Sequence, residues 1–222
     1  MTTATILSRD GISGEESASV CARSRIYALF SRTFSFPEDR LHLEIRENRW
    51  LQDLTTACAG LPYHFRIPQS LRWDVHADYD VFQSGYIRLF EVGGRAGPPC
   101  PLHSGHYGQD RLRTMEELVR FFSFFGVRIR AGLMPDHASV ELEFMHYLSR
   151  QEAEAEDEEE RLSCLRAQRD FLNRQLAGWW PALTARVKRE RGGGAFYRSA
   201  VSLAGRFLEA ERVYLSRQIS DS

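Results

Sequence analysis

Apolar side chains recur at three- and four-residue steps along nearly the whole chain, and strand-like alternation is scarce, so the pattern predicts helices throughout. Ser13 and Glu16 form an S-x-x-E capping box ahead of the first of them. Val20, Ile26, Tyr27, Leu29, Phe30 and Phe34 then make one apolar stripe, closed off at Pro37. A second helix is expected over residues 37–59, followed by an irregular connection marked by Gly60, Pro62 and Pro68. Asp74 is placed to cap a third helix that ends near Phe90 and carries Val75, Tyr79, Phe82, Tyr86 and Leu89 in register.

Residues 93–108, rich in Gly, Pro and His, are the least helical part of the chain. A helix over 111–125 follows, with Gly126 as its C-terminal cap. Pro135 and Asp136 open another that reaches about Arg150, with Asp136 as cap, His137 as first helical residue and Glu141 one turn on. The acidic run 152–160 reads as a solvated helix face or a connection. A long helix from about Arg161 runs into Trp179, Trp180 and Pro181, where the proline must kink or restart it. Gly192 to Gly194 break the chain before a last helix from Ala195 to about Arg217. The fold class is therefore all-α: a single bundle of roughly eight to ten helices over 15–218, behind a flexible lead of residues 1–14.

Composition narrows the function classes. The 222 residues are 43% hydrophobic, enough for one full core, yet no stretch approaches the roughly 20 apolar residues of a membrane helix. The Thr/Ser-rich start lacks a basic segment followed by an apolar block, which predicts a protein that stays in the cytoplasm. Four widely spaced cysteines, at positions 21, 58, 100 and 164, indicate reduced thiols. A net charge of −1 argues against a nucleic-acid binder working through a broad basic face.

Catalytic templates are absent: there is no phosphate loop, nucleophile elbow, H-E-x-x-H or dinucleotide fingerprint. Two clusters leave chemistry open. Cys100, His103 and His106 have residue types that suit zinc, against a plain loop whose histidines make ordinary hydrogen bonds. Asp136 and His137 could be half of a nucleophilic triad, with no motif-placed nucleophile to complete it, or simply a capping pair. A metal-dependent or hydrolytic enzyme built on these residues is the alternative reading. Tyr86 to Glu91 followed by Pro98-Pro99-Cys100-Pro101 joins an apolar helix end to a rigid proline loop, which is either core or the wall of a peptide groove.

At these segments the chain resembles the TorD/DmsD/NarJ family of redox-enzyme maturation chaperones. The resemblance is carried by Tyr86-x-x-Leu89-Phe90, by Pro98-Pro99-x-Pro101-Leu102-x-Ser104, and by Pro135-Asp136-His137 running on to Glu141-Leu142-Glu143-Phe144-Met145. Weaker matches at Arg25 to Phe30, Phe171-Leu172, Trp180-x-x-Leu183 and Phe196-Tyr197 extend it over roughly residues 15 to 210. Tyr86 stands where close relatives of DmsD tend to have tryptophan, and the proline-cysteine loop looks more like chaperones serving dimethyl sulfide, ethylbenzene, selenate or chlorate enzymes.

The resemblance implies a non-catalytic chaperone that needs no cofactor or metal of its own. It implies binding of the twin-arginine signal peptide and apo catalytic subunit of a molybdenum enzyme, held in the cytoplasm until cofactor insertion and before export. It also implies a monomer or a domain-swapped dimer. The peptide-binding positions carry over to Tyr86, Leu89, Phe90, Pro99, Ser104, Asp136 and His137, with His103, Gly126 and Glu141 as neighbours. Such a peptide has a basic start and an apolar core, so Asp136, Glu141 and Glu91 are expected beside its arginines.

Overall fold

The computed structural model describes residues 14–93, 97–108, 110–192 and 194–220. Among them the chain forms nine α-helices: α1 (Gly14–Phe34), α2 (Asp39–Arg46), α3 (Arg49–Ala59), α4 (Tyr79–Tyr86), α5 (Arg111–Phe124), α6 (Ala138–Glu154), α7 (Glu158–Arg174), α8 (Leu176–Arg189) and α9 (Ala195–Ser220). No named strand forms among the described residues, and the all-α reading holds. None of these helices is long and apolar enough to cross a membrane. The capping box at Ser13, the lead before it and Gly193 lie outside the described residues.

α1 lies chiefly along α6, α6 packs on α7, and α9 closes against α7 and α8. The aromatic stripe of α1 supplies the centre: Tyr27 meets Phe207 at 4.9 Å and Phe34 meets Trp180 at 5.3 Å, both edge-on. Arg23 is buried in the same interior, where its guanidinium joins three helices to α1. It donates to Glu211 from Nε (3.0 Å), to Glu152 from Nη1 (2.7 Å) and to Gln168 from Nη2 (2.6 Å). Burial works against the Arg23 charge, but Glu211 and Glu152 outweigh it and its pKa rises. Glu152 belongs to the acidic run, so one member of that run is an interior ion-pair partner while Glu156, Glu158, Glu159 and Glu160 stay in solvent.

Several helix boundaries differ from the pattern. The helix expected over 37–59 breaks into α2 and α3 at Asn48, which sits at φ 61°, a left-handed conformation that asparagine tolerates. The third helix starts four residues later than expected because Asp78, not Asp74, is the cap. Its carboxylate accepts from the amides of Asp80 (2.8 Å) and Val81 (3.2 Å). His42, bonded to the His76 carbonyl at 2.7 Å, holds the preceding residues out of helix. The long helix breaks at Gln175 (φ −110°, ψ −91°), and Pro181 lies inside α8 rather than at a restart. α6 runs on to Glu154, past the expected end.

Helix α5 is thinly anchored for its 14 residues. It buries Leu118 and Phe122, whereas α6 buries nine residues. At about 1.5–3 kcal/mol per buried large apolar side chain, two anchors hold α5 far less firmly than the bundle centre is held.

Candidate functional site

The candidate site is assembled where the proline loop meets the start of α6. After α4 the helix widens into one π turn over Ile87–Glu91. The Cys100 amide donates to the Leu89 carbonyl (3.0 Å) and so ties the loop back to that turn. Residues 102–104 then run antiparallel to 136–138: Ser104 N donates to Asp136 O (2.8 Å) and Ala138 N to Leu102 O (2.7 Å), around an isolated bridge between His103 and His137. Four backbone groups that would otherwise be orphaned at a loop and a helix start are satisfied this way.

That pairing turns Asp136 inward. Its side chain is fully buried, with His103 Nδ1 at 3.0 Å from Oδ1 and Arg111 Nε at 3.5 Å from Oδ2. Burial alone would raise the Asp136 pKa; His103 and Arg111 outweigh it and hold the carboxyl below its ordinary value. Gly105 permits the approach. A Cβ there would stand 2.5 Å from Arg111 Cγ and 2.9 Å from Asp136 Oδ2, so no side chain fits. The Arg111 contact is long for a charged pair, and Oδ2 has no hydrogen bond of normal geometry.

The capping role expected of Asp136 falls to its neighbour. His137 is the N-cap rather than the first helical residue, and its Nδ1 accepts from the Ser139 amide at 3.2 Å while lying 2.7 Å from Ser139 Oγ. Asp136 cannot cap because its carboxylate faces the loop. Burial lowers the His137 pKa to about 4, with His103 adding and Asp136 opposing, so the ring is neutral at neutral pH. The rings of His103 and His137 meet edge-on at 4.9 Å.

One layer deeper, Glu141 is wholly buried and accepts from Trp179 Nε1 at 3.1 Å. Burial raises its pKa to about 8, against the pull of Ser104 and Trp179, so it is a neutral acid at neutral pH. Its Oε1 and the Ser104 hydroxyl both lack another hydrogen-bond partner, and the pull of Ser104 is that of a hydroxyl directed at the carboxyl. Tyr107 stacks on Trp179 at 5.3 Å and carries the Arg186 guanidinium on its ring, 4.6 Å from the centroid. Gly105, Arg111, Tyr107 and Trp179 were not singled out from the sequence; none sits in a chemical motif, and only the fold brings them to Asp136.

The remaining predicted residues are spread in depth. Pro99 is half-buried in the loop, but Tyr86, Leu89 and Phe90 are core residues. Tyr86 donates to the Phe34 carbonyl (2.9 Å), and Tyr86 and Phe90 pack around Tyr197 at 5.5 and 5.6 Å. Gly126, at φ 68°, ends α5 about 20 Å from Arg111 by helical rise and does not join the cluster. Exposed apolar side chains do flank the junction: Leu112 is 78% exposed, Leu133 48% and Met134 40%.

The enzyme alternative finds no constellation here. Burial raises the Cys100 thiol to about 11, which leaves no thiolate at neutral pH. Among the described residues no three His, Cys, Asp or Glu side chains are grouped to hold a metal. Asp136 engages His103 rather than His137, so the sequence-adjacent pair is not a dyad.

Residues 50–185 match the family described as nitrate reductase delta subunit. The perchlorate reductase assembly chaperone of Dechloromonas aromatica is 31% identical over 85% of this chain and 88% of its own. The selenate reductase assembly chaperone of Thauera selenatis is 33% identical over 63% and 73%, and the chaperone TorD of Vibrio parahaemolyticus is 28% identical over 53% and 55%. The chain therefore belongs to the nitrate reductase delta subunit family, the TorD/NarJ group of redox-enzyme assembly chaperones, and is a chaperone rather than an enzyme.

Proposed function

We propose that this chaperone serves the catalytic subunit of a molybdenum-containing reductase and recognises its twin-arginine leader at the junction of the proline loop, α5 and α6. It holds the apo subunit in the cytoplasm, so that export waits for the cofactor. The observation that carries the reading is Asp136: a buried, ionised carboxylate beside His103 and the Gly105 backbone, whose second oxygen makes no hydrogen bond and has only a half-exposed arginine side chain, Arg111, at 3.5 Å. An arginine from a leader can replace Arg111 there and make the closer charge-assisted bond that Arg111 does not. The leader's apolar stretch then lies over Leu112, Leu133 and Met134.

In this reading Glu141, Ser104, Tyr86, Leu89 and Phe90 position the junction from behind. Asp136, His103 and His137 form its binding edge, and Pro99 shapes the loop. Calorimetric titration with the leader of a molybdoenzyme from the same genome, beside a twin-lysine version, tests it. The leader is expected to bind, and the lysine version to bind about tenfold more weakly, because lysine lacks the planar fork. If Asp136→Asn and His137→Ala fold normally and bind the leader as tightly as wild type, the reading is wrong.

A further inference from the structure

On the far side of α8 lies a second concavity that shares no residue with the junction. Its volume is 1330 Å³, and it is walled by α8, α9 and the connecting segment 62–66. Phe65, Pro181 and Val213 give it an accessible apolar lining, over the buried Trp180 and Leu208. Gly205 lets α9 pack closely on Trp180, since a Cβ there would stand 3.0 Å from Trp180 Cδ1. α8 thus carries two adjacent tryptophans with separate duties: Trp179 bonds Glu141 beneath the junction, and Trp180 underlies the groove.

Size and charge select the occupant. Small-molecule pockets hold about 300–1,000 Å³, and this groove exceeds them. The α9 wall runs from Ser202 to Gln218, about 24 Å at the helical rise, long enough for several turns of a helix. Arg66, Lys188, Arg206 and Arg217 stand around it, all exposed and none in an ion pair with a described residue. The one carboxylate in the wall, Glu209, is already held by both Nε (2.9 Å) and Nη2 (2.6 Å) of Arg212. A leader with a basic start is repelled by such a rim.

We infer that this groove docks an acidic amphipathic segment of a partner protein, with its apolar face on Phe65, Pro181 and Val213 and its carboxylates on the four cations of the rim. The chaperone then has two contacts of opposite charge preference, one for an arginine-bearing peptide and one for an acidic helix.

The test uses the full chain and a fluorescent designed helical peptide with leucines on one face and glutamates on the other. A matched peptide has glutamines in place of the glutamates. The glutamate peptide is expected to bind, with affinity falling as salt rises. Binding is expected to be about tenfold weaker for the glutamine peptide and for the double variant Lys188→Glu, Arg206→Glu. Both variant positions are exposed and unpaired, so thermal melting should match wild type. Absence of binding, or binding indifferent to the double variant, would overturn the proposal. Self-association abolished by the double variant would assign the groove to a second copy instead. A leader peptide titrated in parallel keeps the two sites distinguishable: failure of the leader to bind leaves the groove result standing, whereas competition between the two peptides would overturn their separation.

Discussion

Two of the places where this molecule sets arginine against a buried carboxylate are built in opposite ways. At the centre of the bundle Arg23 is enclosed: Glu211, Glu152 and Gln168 accept from it, while Tyr27 and Tyr63 donate to Glu211 at 3.1 and 2.7 Å. At the junction Asp136 is just as buried, yet its arginine is 47% exposed and 3.5 Å away. Each leaves one buried carboxylate oxygen without a hydrogen bond, Glu152 Oε1 and Asp136 Oδ2. A guanidinium enclosed by three other helices fixes which helices meet and in what register. A half-exposed one at longer range can give way to another cation, and that difference supports reading the junction as a site.

Removing the central guanidinium should have the largest effect. Arg23→Met leaves two buried carboxylates uncompensated and is expected to cost about 3–5 kcal/mol, measured by denaturant unfolding. Loss below about 1 kcal/mol would mean the network does not fix the bundle.

The next effect is in pH dependence. Glu141 is protonated in the fold and has a pKa raised from 4.5 to about 8, so its contribution is complete below pH 4.5 and is lost as pH rises toward 8. Glu141→Gln keeps the acceptor for Trp179 and should remove that decline, worth about 2–4 kcal/mol over the interval. His137 acts with the opposite sign, destabilising the fold as pH falls from 6.5 toward about 4, so the two are separable in a stability-versus-pH series.

Gly105→Val should cost about 1–3 kcal/mol by forcing Arg111 and Asp136 apart, and should weaken leader binding together with stability. The smallest stability change is expected for Arg111→Ala. Its long, half-solvated contact is worth no more than about 1 kcal/mol in a melt.

Much of the fold was legible because helical periodicity is local. The stripe of α1, the Gly126 cap and the last helix all follow from neighbours in the sequence. Boundaries went astray where two residues of the same type competed: Asp74 and Asp78 are equal as caps on paper, and His42, far away in the chain, decides between them. The acidic run showed the same limit, since Glu152 is interior only because Arg23, 129 positions earlier, meets it. At the site, residue types around Asp136 were visible but their depth was not. A capping motif predicts an exposed carboxylate; the bridge between His103 and His137 buries it. The basic groove had no signature at all, because its walls come from three separate segments.

The central claim is that Arg111 occupies the place of a leader arginine at Asp136. Titration of the leader peptide into Arg111→Ala tests it most directly, with wild type and Asp136→Asn alongside. If Arg111 is a competitor, its removal should tighten leader binding several-fold, by about threefold to tenfold, while Asp136→Asn weakens it by a similar or larger factor. Equal weakening by both substitutions would contradict the account and make Arg111 part of the binding surface rather than its occupant.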